Sequence, residues 1–353
     1  EIMPSLVGSE MCIRDRLYTP IKYVSATLTT DLTRSMLDNN FVNGPNPKRM
    51  ASQSVLAVQY KNSRFTATGS LLGTYITDKV EQGEKPDDKR RLSPAVSLSW
   101  RPFSESTLRI RASYKDIFRV PTFTDLYYLR MGNTNLKPEE TSQYNVGVTW
   151  SSSCGDWLRH FSISADGYYN TVKDKIVALP TMYVWKMMNM GEVDIKGVDV
   201  NLSTQFRLPL RMSLLLASTY SFQYAVDVTD PEAKNYKDQI PYTPRHSGTV
   251  SVTLENPWVN VSYILTAVGD RYALPQNIDR NRIDSYIEQS ISINRDFRFR
   301  YFGLRLQGEL LNLANVNYDV IQYYPMPGRS WRLSICLSLS LIHISEPTRL
   351  GMI

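Results

Sequence analysis

The sequence predicts an all-β protein, an antiparallel β-barrel that crosses a membrane on its strands. Three observations carry that reading. Apolar and polar residues alternate with a period of two, which puts successive side chains on opposite faces of a strand. The links between these runs are short and long in turn, as in a barrel with tight turns at one rim and large loops at the other. No stretch of the chain approaches the ~18 apolar residues that would span a bilayer as a helix.

Composition fits the same picture. The 353 residues include 22 Tyr, 11 Phe and 6 Trp, yet the mean hydropathy of −0.30 is that of a water-soluble protein. A membrane barrel reconciles the two, because only alternate residues of each strand face lipid. The net charge of +6 comes from Lys and Arg spread among Asp and Glu, without the clustered footprint of a nucleic-acid binder. Cys12, Cys154 and Cys336 are too few and too far apart for a metal cluster or a disulfide framework. No cofactor, metal or nucleic-acid partner is expected.

About fourteen strands follow in order. The first precedes a long link at Asn39 to Arg49, and the second closes at a short turn, Lys61 to Arg64. Phe65 to Thr77 exceeds the ~9 to 11 residues that a tilted strand needs to cross. A long link at Val80 to Arg90 leads to the fourth strand and the short link Phe103 to Thr107. Leu108 to Tyr114 alternates strictly and precedes a long link, Val120 to Thr141. Ser153 to His160 is short, Phe161 to Asp166 opens the next strand, and Val172 to Met190 is read as a long link. Arg207 to Arg211 turns into Met212 to Tyr224, and Val228 to Arg245 is long. Val250 to Leu254 and Val259 to Tyr263 flank the tight turn Glu255-Asn256-Pro257. Gly269 to Arg282 is long, Arg295 to Tyr301 short, and Asn315 to Gly328 long before the last strand.

Within these strands Arg109, Arg111, Asp166, Arg305, Gln307 and Glu309 should share one wet interior. Tyr75, Trp100, Tyr114, Trp150, Tyr220 and Tyr263 lie towards strand ends, where amphipathic rings suit the headgroup boundary. Between Ile195 and Val198 the apolar phase shifts by one residue, and a β-bulge at Lys196-Gly197 is expected to restore it. A soluble sandwich also alternates, but its connections do not sort by length along the chain.

Neither end continues the pattern. Residues 1–16 (EIMPSLVGSEMCIRDR) and 339–353 (LSLIHISEPTRLGMI) resemble translated sequencing-adapter read-through and are set aside from the barrel at 17–338. The opening has neither the basic start nor the apolar core of a signal peptide.

The stretch from Arg109 to Trp150 resembles the barrels of TonB-dependent outer-membrane receptors. It carries Phe118-Arg119-Val120-Pro121 and then Asn133-Thr134-Asn135-Leu136-Lys137-Pro138-Glu139, two motifs of that family in the family's order. Physically, Pro121 ends ladder bonding where a strand leaves the membrane, and Asn133, Asn135 and Pro138 shape a returning loop. Similar segments start at Asn189, Ile240, Glu309 and Tyr324, so the resemblance covers about 21–335. Loop style is closest to receptors of the Bacteroidetes group, some of them taking up cobalamin. The resemblance implies a 22-strand barrel of which about eight strands, the plug domain and the TonB-contacting box are missing, with Cys336 near where a terminal aromatic is expected. With those strands missing, the first and last strands are left as unpaired edges or closed artificially.

Catalytic residues are not expected. His246 and Ser247 are adjacent and so point to opposite faces, and His160 sits in a short turn. Asp87-Asp88, Asp227 with Asp230, and Glu139-Glu140 lack the ligand spacing of a calcium loop. Haem receptors of the family carry a histidine between the two motifs, and none lies between Pro121 and Asn133. What remains is a mouth of long loops carrying Arg119, Tyr127, Tyr128, Arg130, Tyr183, Trp185, Arg271, Tyr323 and Tyr324, aromatic faces with a few charges that suit a bulky, partly polar ligand. Phe118, Pro121, Asn133, Asn135, Leu136, Pro138 and Glu139 are read as structural.

The resemblance implies an importer in the outer membrane of a Gram-negative bacterium. The parent protein would bind a scarce nutrient, a metal chelate such as a siderophore or cobalamin, at its extracellular loops and take it in by TonB-coupled transport. Its partners would be outer-membrane lipid, the small-molecule nutrient and the TonB complex through the plug. The chain alone is not expected to transport. A passive channel for hydrophobic solutes and a soluble β-rich binding or adhesion module are the alternatives.

Overall fold

The computed structural model describes residues 6–38, 46–81, 87–103, 107–128, 130–180, 184–299 and 302–339. Long strands dominate: β1 (Leu6–Ile21), β2 (Val24–Asp38), β3 (Lys48–Lys61), β4 (Phe65–Lys79), β5 (Lys89–Trp100), β6 (Arg109–Arg119), β7 (Glu139–Cys154), β8 (Leu158–Pro180), β9 (Trp185–Leu208) and β10 (Met212–Asp227). β11 (His246–Glu255) and β12 (Asn260–Val268) follow, then the short β13 (Arg271–Tyr272) and β14 (Arg282–Ile283). The chain continues through β15 (Tyr286–Arg298), β16 (Phe302–Leu311), the short β17 (Asp319–Ile321) and β18 (Tyr324–Pro325), and β19 (Ser330–Leu339). The one described α-helix, α1 (Phe123–Tyr127), lies between β6 and β7.

Fifteen strands pair in chain order into a single sheet, from β1 to β19. Each neighbouring pair is antiparallel, so the links alternate between two rims: one carries short links only, and the other carries every long link together with the short link between the extended β8 and β9. β1 and β19 do not pair with each other among the described residues, so the sheet is open.

Alternation becomes two faces. Outward, Leu28, Leu56, Leu71, Val96, Val146, Val198 and Ile293 are exposed on the side that meets lipid. On β19 the same side carries Trp331, Leu333, Ile335 and Leu337.

Three details differ from the sequence reading. The sheet has fifteen strands, because β1 pairs with β2 from Leu6↔Asp38 to Ile21↔Val24. An edge strand offers a row of unpaired backbone groups, and an extended segment can add to it whatever its side chains. The expected link Val172 to Met190 is mostly strand: β8 and β9 continue paired to Pro180↔Trp185. The bulge at Lys196-Gly197 is absent, since β9 runs in continuous register there against both β8 and β10. The hydropathy phase changes because the inner face itself turns apolar at that height. Val172, Met190, Val193, Ile195, Ala225 and Ile240 form a buried cluster there, and Val193 is 0% exposed.

Candidate functional site

Below that cluster the inner wall is polar. Arg111, Gly147, Asp166, Asp199 and Ser221 form one row across five strands, each opposite the next. Arg111 bonds Asp166 at 2.7 Å across Gly147. A Cβ at Gly147 would stand 1.9 Å from an Asp166 oxygen, so only glycine leaves the pair its path. The Ser221 hydroxyl donates to Asp199 at 2.5 Å. Arg111, Gly147, Asp166 and Asp199, with Tyr168, Asn170 and Gln223, line a hollow of about 490 Å³. Nearer the tight turns Arg109 lines a second inner hollow with Gln59, Arg64 and Arg101. On the far strands Arg305 pairs with Asp296, and Glu309 accepts from Gln307 and Arg332.

At the long-loop rim the β6–β7 connection is a built element. Thr122 and Asp125 cap α1 reciprocally: the Asp125 amide donates to the Thr122 hydroxyl at 3.2 Å, and the Thr122 amide to the Asp125 carboxylate at 2.8 Å. Arg49 anchors the helix from below. Its guanidinium makes two bonds to buried Asp78, donates to the Pro121 carbonyl at 2.7 Å and lies over the Phe123 ring. Gly132 passes so close to the end of the helix that a Cβ would meet the Leu126 carbonyl at 2.6 Å.

This connection is stitched to the β8–β9 hairpin. Leu126, Leu136 and Ile176 bury one another, with Tyr127 and Met187 packed alongside. The Asn133 side chain donates to the Met187 carbonyl at 3.1 Å and accepts from the Asn135 amide at 3.0 Å. Asn189 accepts from the Lys137 amide and donates to the carbonyls of Lys137 and Asp174. Glu139, which follows half-buried Pro138, accepts from the Ile176 amide and pairs with Arg119. Arg119 also reaches Asp125. Phe118 is half-buried opposite Glu140.

The stitching continues around the rim. Trp185 packs on Tyr242, 5.9 Å between ring centres. The Tyr242 amide donates to the Tyr272 carbonyl, and its hydroxyl bonds the Gln322 backbone. Asn277 holds Gln239 in both directions. Arg271, only 3% exposed, donates to the Asp319 and Val320 carbonyls and lies over the Tyr286 ring. Gln322 donates to the Arg280 carbonyl. A continuous belt therefore joins β3–β4 to the β16–β19 connection. Burial raises the pKa of Tyr127 and Tyr242 above the usual phenol value, whereas hydrogen bonds from Lys48 and Asn46 lower that of Glu81.

The nine residues assigned to a ligand mouth thus have different settings. Tyr128, Arg130, Tyr323 and Tyr324 are exposed, with Tyr323 at 78% and Tyr324 at 67%. Tyr127 and Trp185 are half-buried in loop packing. Arg119 is engaged within its own loop and Arg271 by the carbonyls of the β16–β19 connection. Tyr183 lies outside the described residues. Of the acidic pairs, Asp227 accepts from Thr229 and Asn235, and Asp230 from the Glu232 amide. Sequence reasoning missed Arg49, Asn189 and Asn277. A loop asparagine is a legible signal for backbone bonding, whereas nothing in sequence links Arg49 to Pro121.

A single-layer antiparallel sheet with an apolar outer face, a polar inner face and its elaboration at one rim defines an outer-membrane barrel wall of the receptor type. The chain belongs to the TonB-dependent receptor family: its β-barrel model, "TonB dependent receptor-like, beta-barrel", matches residues 23–313. Curated relatives include the vitamin B12 transporter BtuB of Photobacterium profundum, 27% identical over 236 residues, covering 64% of this chain and 34% of the relative. The BtuB of Vibrio vulnificus is 24% identical over 221 residues, covering 61% and 32%. The chain thus spans about a third of the length of the curated relatives it matches. Among solved structures, the FrpB iron transporter of Neisseria meningitidis superposes with a TM-score of 0.69 at 14% identity, covering 95% of this chain and 56% of that one. The copper transporter OprC gives 0.70 at 14%, covering 95% and 57%. The family places the protein in the outer membrane, among receptors and transporters.

Proposed function

We propose that this chain is the ligand-gathering part of an active importer, which binds a metal chelate such as a siderophore, or cobalamin, at its outward loops. The interlocked belt carries the reading. Its backbone is fixed by side chains drawn from other loops, while Tyr128, Arg130, Tyr323 and Tyr324 stay exposed on it. Aromatic faces beside a guanidinium suit a bulky ligand with anionic groups. The polar inner wall below would meet the plug on which TonB acts. Both BtuB relatives are named for vitamin B12, which favours a corrinoid within this class. A passive pore is disfavoured by the match to the receptor family's barrel, and a soluble module by the apolar outer face.

The test is a chimera in which residues 23–313 replace the matching segment of the Photobacterium BtuB. Uptake of labelled cyanocobalamin and of ferric siderophores is measured with and without TonB. TonB-dependent uptake of one of them is expected, weakened severalfold by Tyr128→Ala with Arg130→Ala. A chimera that folds in the outer membrane and takes up none of them overturns the proposal.

A further inference from the structure

The outer face holds a second cluster that ligand uptake does not use. On neighbouring strands the apolar band ends at one height towards the long-loop rim. Its last row is Gly167 on β8, Val198 on β9 and Phe222 on β10, each opposite the next, with Val200 and Tyr220 below them and Gly248 and Val250 continuing the band on β11. Immediately above it stand Lys196 on β9, Tyr224 on β10 and Arg245 just before β11.

Lys196 Nζ lies 5.1 Å from the centre of the Tyr224 ring, and the Arg245 guanidinium lies 5.3 Å from the same centre. Both cations are exposed. Neither has a carboxylate within ion-pair distance among the described residues. Asp194, two positions along the same face of β9, instead accepts from the Tyr169 and Thr171 hydroxyls. Lys196 and Arg245 reach one ring from the strands on either side of it, and a phosphate within reach of both would offset the repulsion of the two like charges. Their height, at the top of the apolar band, is where lipid headgroups lie.

We propose that Lys196, Tyr224 and Arg245 form a seat for the phosphate of an anionic lipid headgroup in the outward-facing leaflet. Arg245 offers the bidentate fork, Lys196 a point charge, and Tyr224 the ring that holds both cations at one height. The lipid's acyl chains would run down past Phe222, Val198 and Tyr220.

The experiment uses the full chain in phosphatidylcholine nanodiscs doped with phosphatidic acid, counting retained phosphatidic acid by native mass spectrometry. With about 1 kcal/mol expected per cation near a charged surface, each of Lys196→Gln and Arg245→Gln should lower retention roughly fivefold and the pair roughly thirtyfold. Lys196→Arg and Tyr224→Phe should retain the lipid. Lys234→Gln with Lys237→Gln, two exposed cations of the β10–β11 loop, should leave retention unchanged while removing the same net charge. Circular dichroism confirms the sheet in each variant, and the single substitutions decide the matter if the double one misfolds. Equal losses in both double variants, or no loss in either, overturn the seat. Complete displacement by inorganic phosphate overturns its assignment to a lipid.

Discussion

The lower and upper halves of the β8–β9–β10 wall obey opposite rules. Low on the wall Val198, Val200 and Leu202 face outward while Gly197, Asp199 and Asn201 face inward, opposite Tyr168, Asp166 and Ser164. A few residues higher on the same strand, Val193 and Ile195 are the inward side chains and are buried, while Asp194 and Lys196 face outward. The strand does not slip or bulge between the two. What changes is the surroundings: lipid is outside below, water is outside above, and the loops close over the inner face above. An alternating strand therefore reports which of its neighbours is wet, and a reversal of phase marks the height at which the membrane ends.

The comparison is broken most severely by Val193→Asp. A carboxylate at a position with 0% exposure should cost about 4 kcal/mol or more. Limited proteolysis should then cut the β8–β9 extension while the membrane-embedded sheet stays protected, and uniform loss of the whole sheet would contradict two separately stabilised halves. Arg49→Met comes next, since it leaves buried Asp78 unpaired and frees the Pro121 carbonyl. About 3 kcal/mol is expected, read as faster hydrogen exchange confined to α1 and the β6–β7 loop. The smallest effect is Val200→Lys, on the lipid side but near the boundary. It should cost about 1 to 2 kcal/mol in bilayer-folding titrations, and less than the same change at Leu202, deeper in the band.

The membrane-embedded wall was legible in sequence because one physical rule governs it. Leu304 to Leu310 or Phe161 to Asp166 can be read without knowing any partner, since water and lipid supply both environments. The upper extension was not. Val172, Met190 and Val193 gain their burial from Ile240 and Ala225, far away in the chain, and the local pattern resembled a link with a bulge after it. For the mouth, Asn133, Asn135 and Pro138 announced a shaped loop, and each sits in one. Arg119 and Arg271 were ambiguous, because a loop arginine can face a ligand or tie loops together. Only contacts to Glu139 and to the Asp319 carbonyl distinguish these. Arg49 was invisible, its partner carbonyl lying 72 residues further along.

The belt around the rim is tied largely through main-chain atoms: carbonyls of Pro121, Met187, Lys137, Asp174, Gln239, Asp319 and Arg280 receive the side chains that bind one loop to the next. Every residue type presents the same carbonyl. Substitutions at the exposed tips, such as those carrying Tyr128 and Tyr323, can therefore accumulate without loosening the frame beneath them. Such a rim can change its exposed face through single mutations while each intermediate still folds.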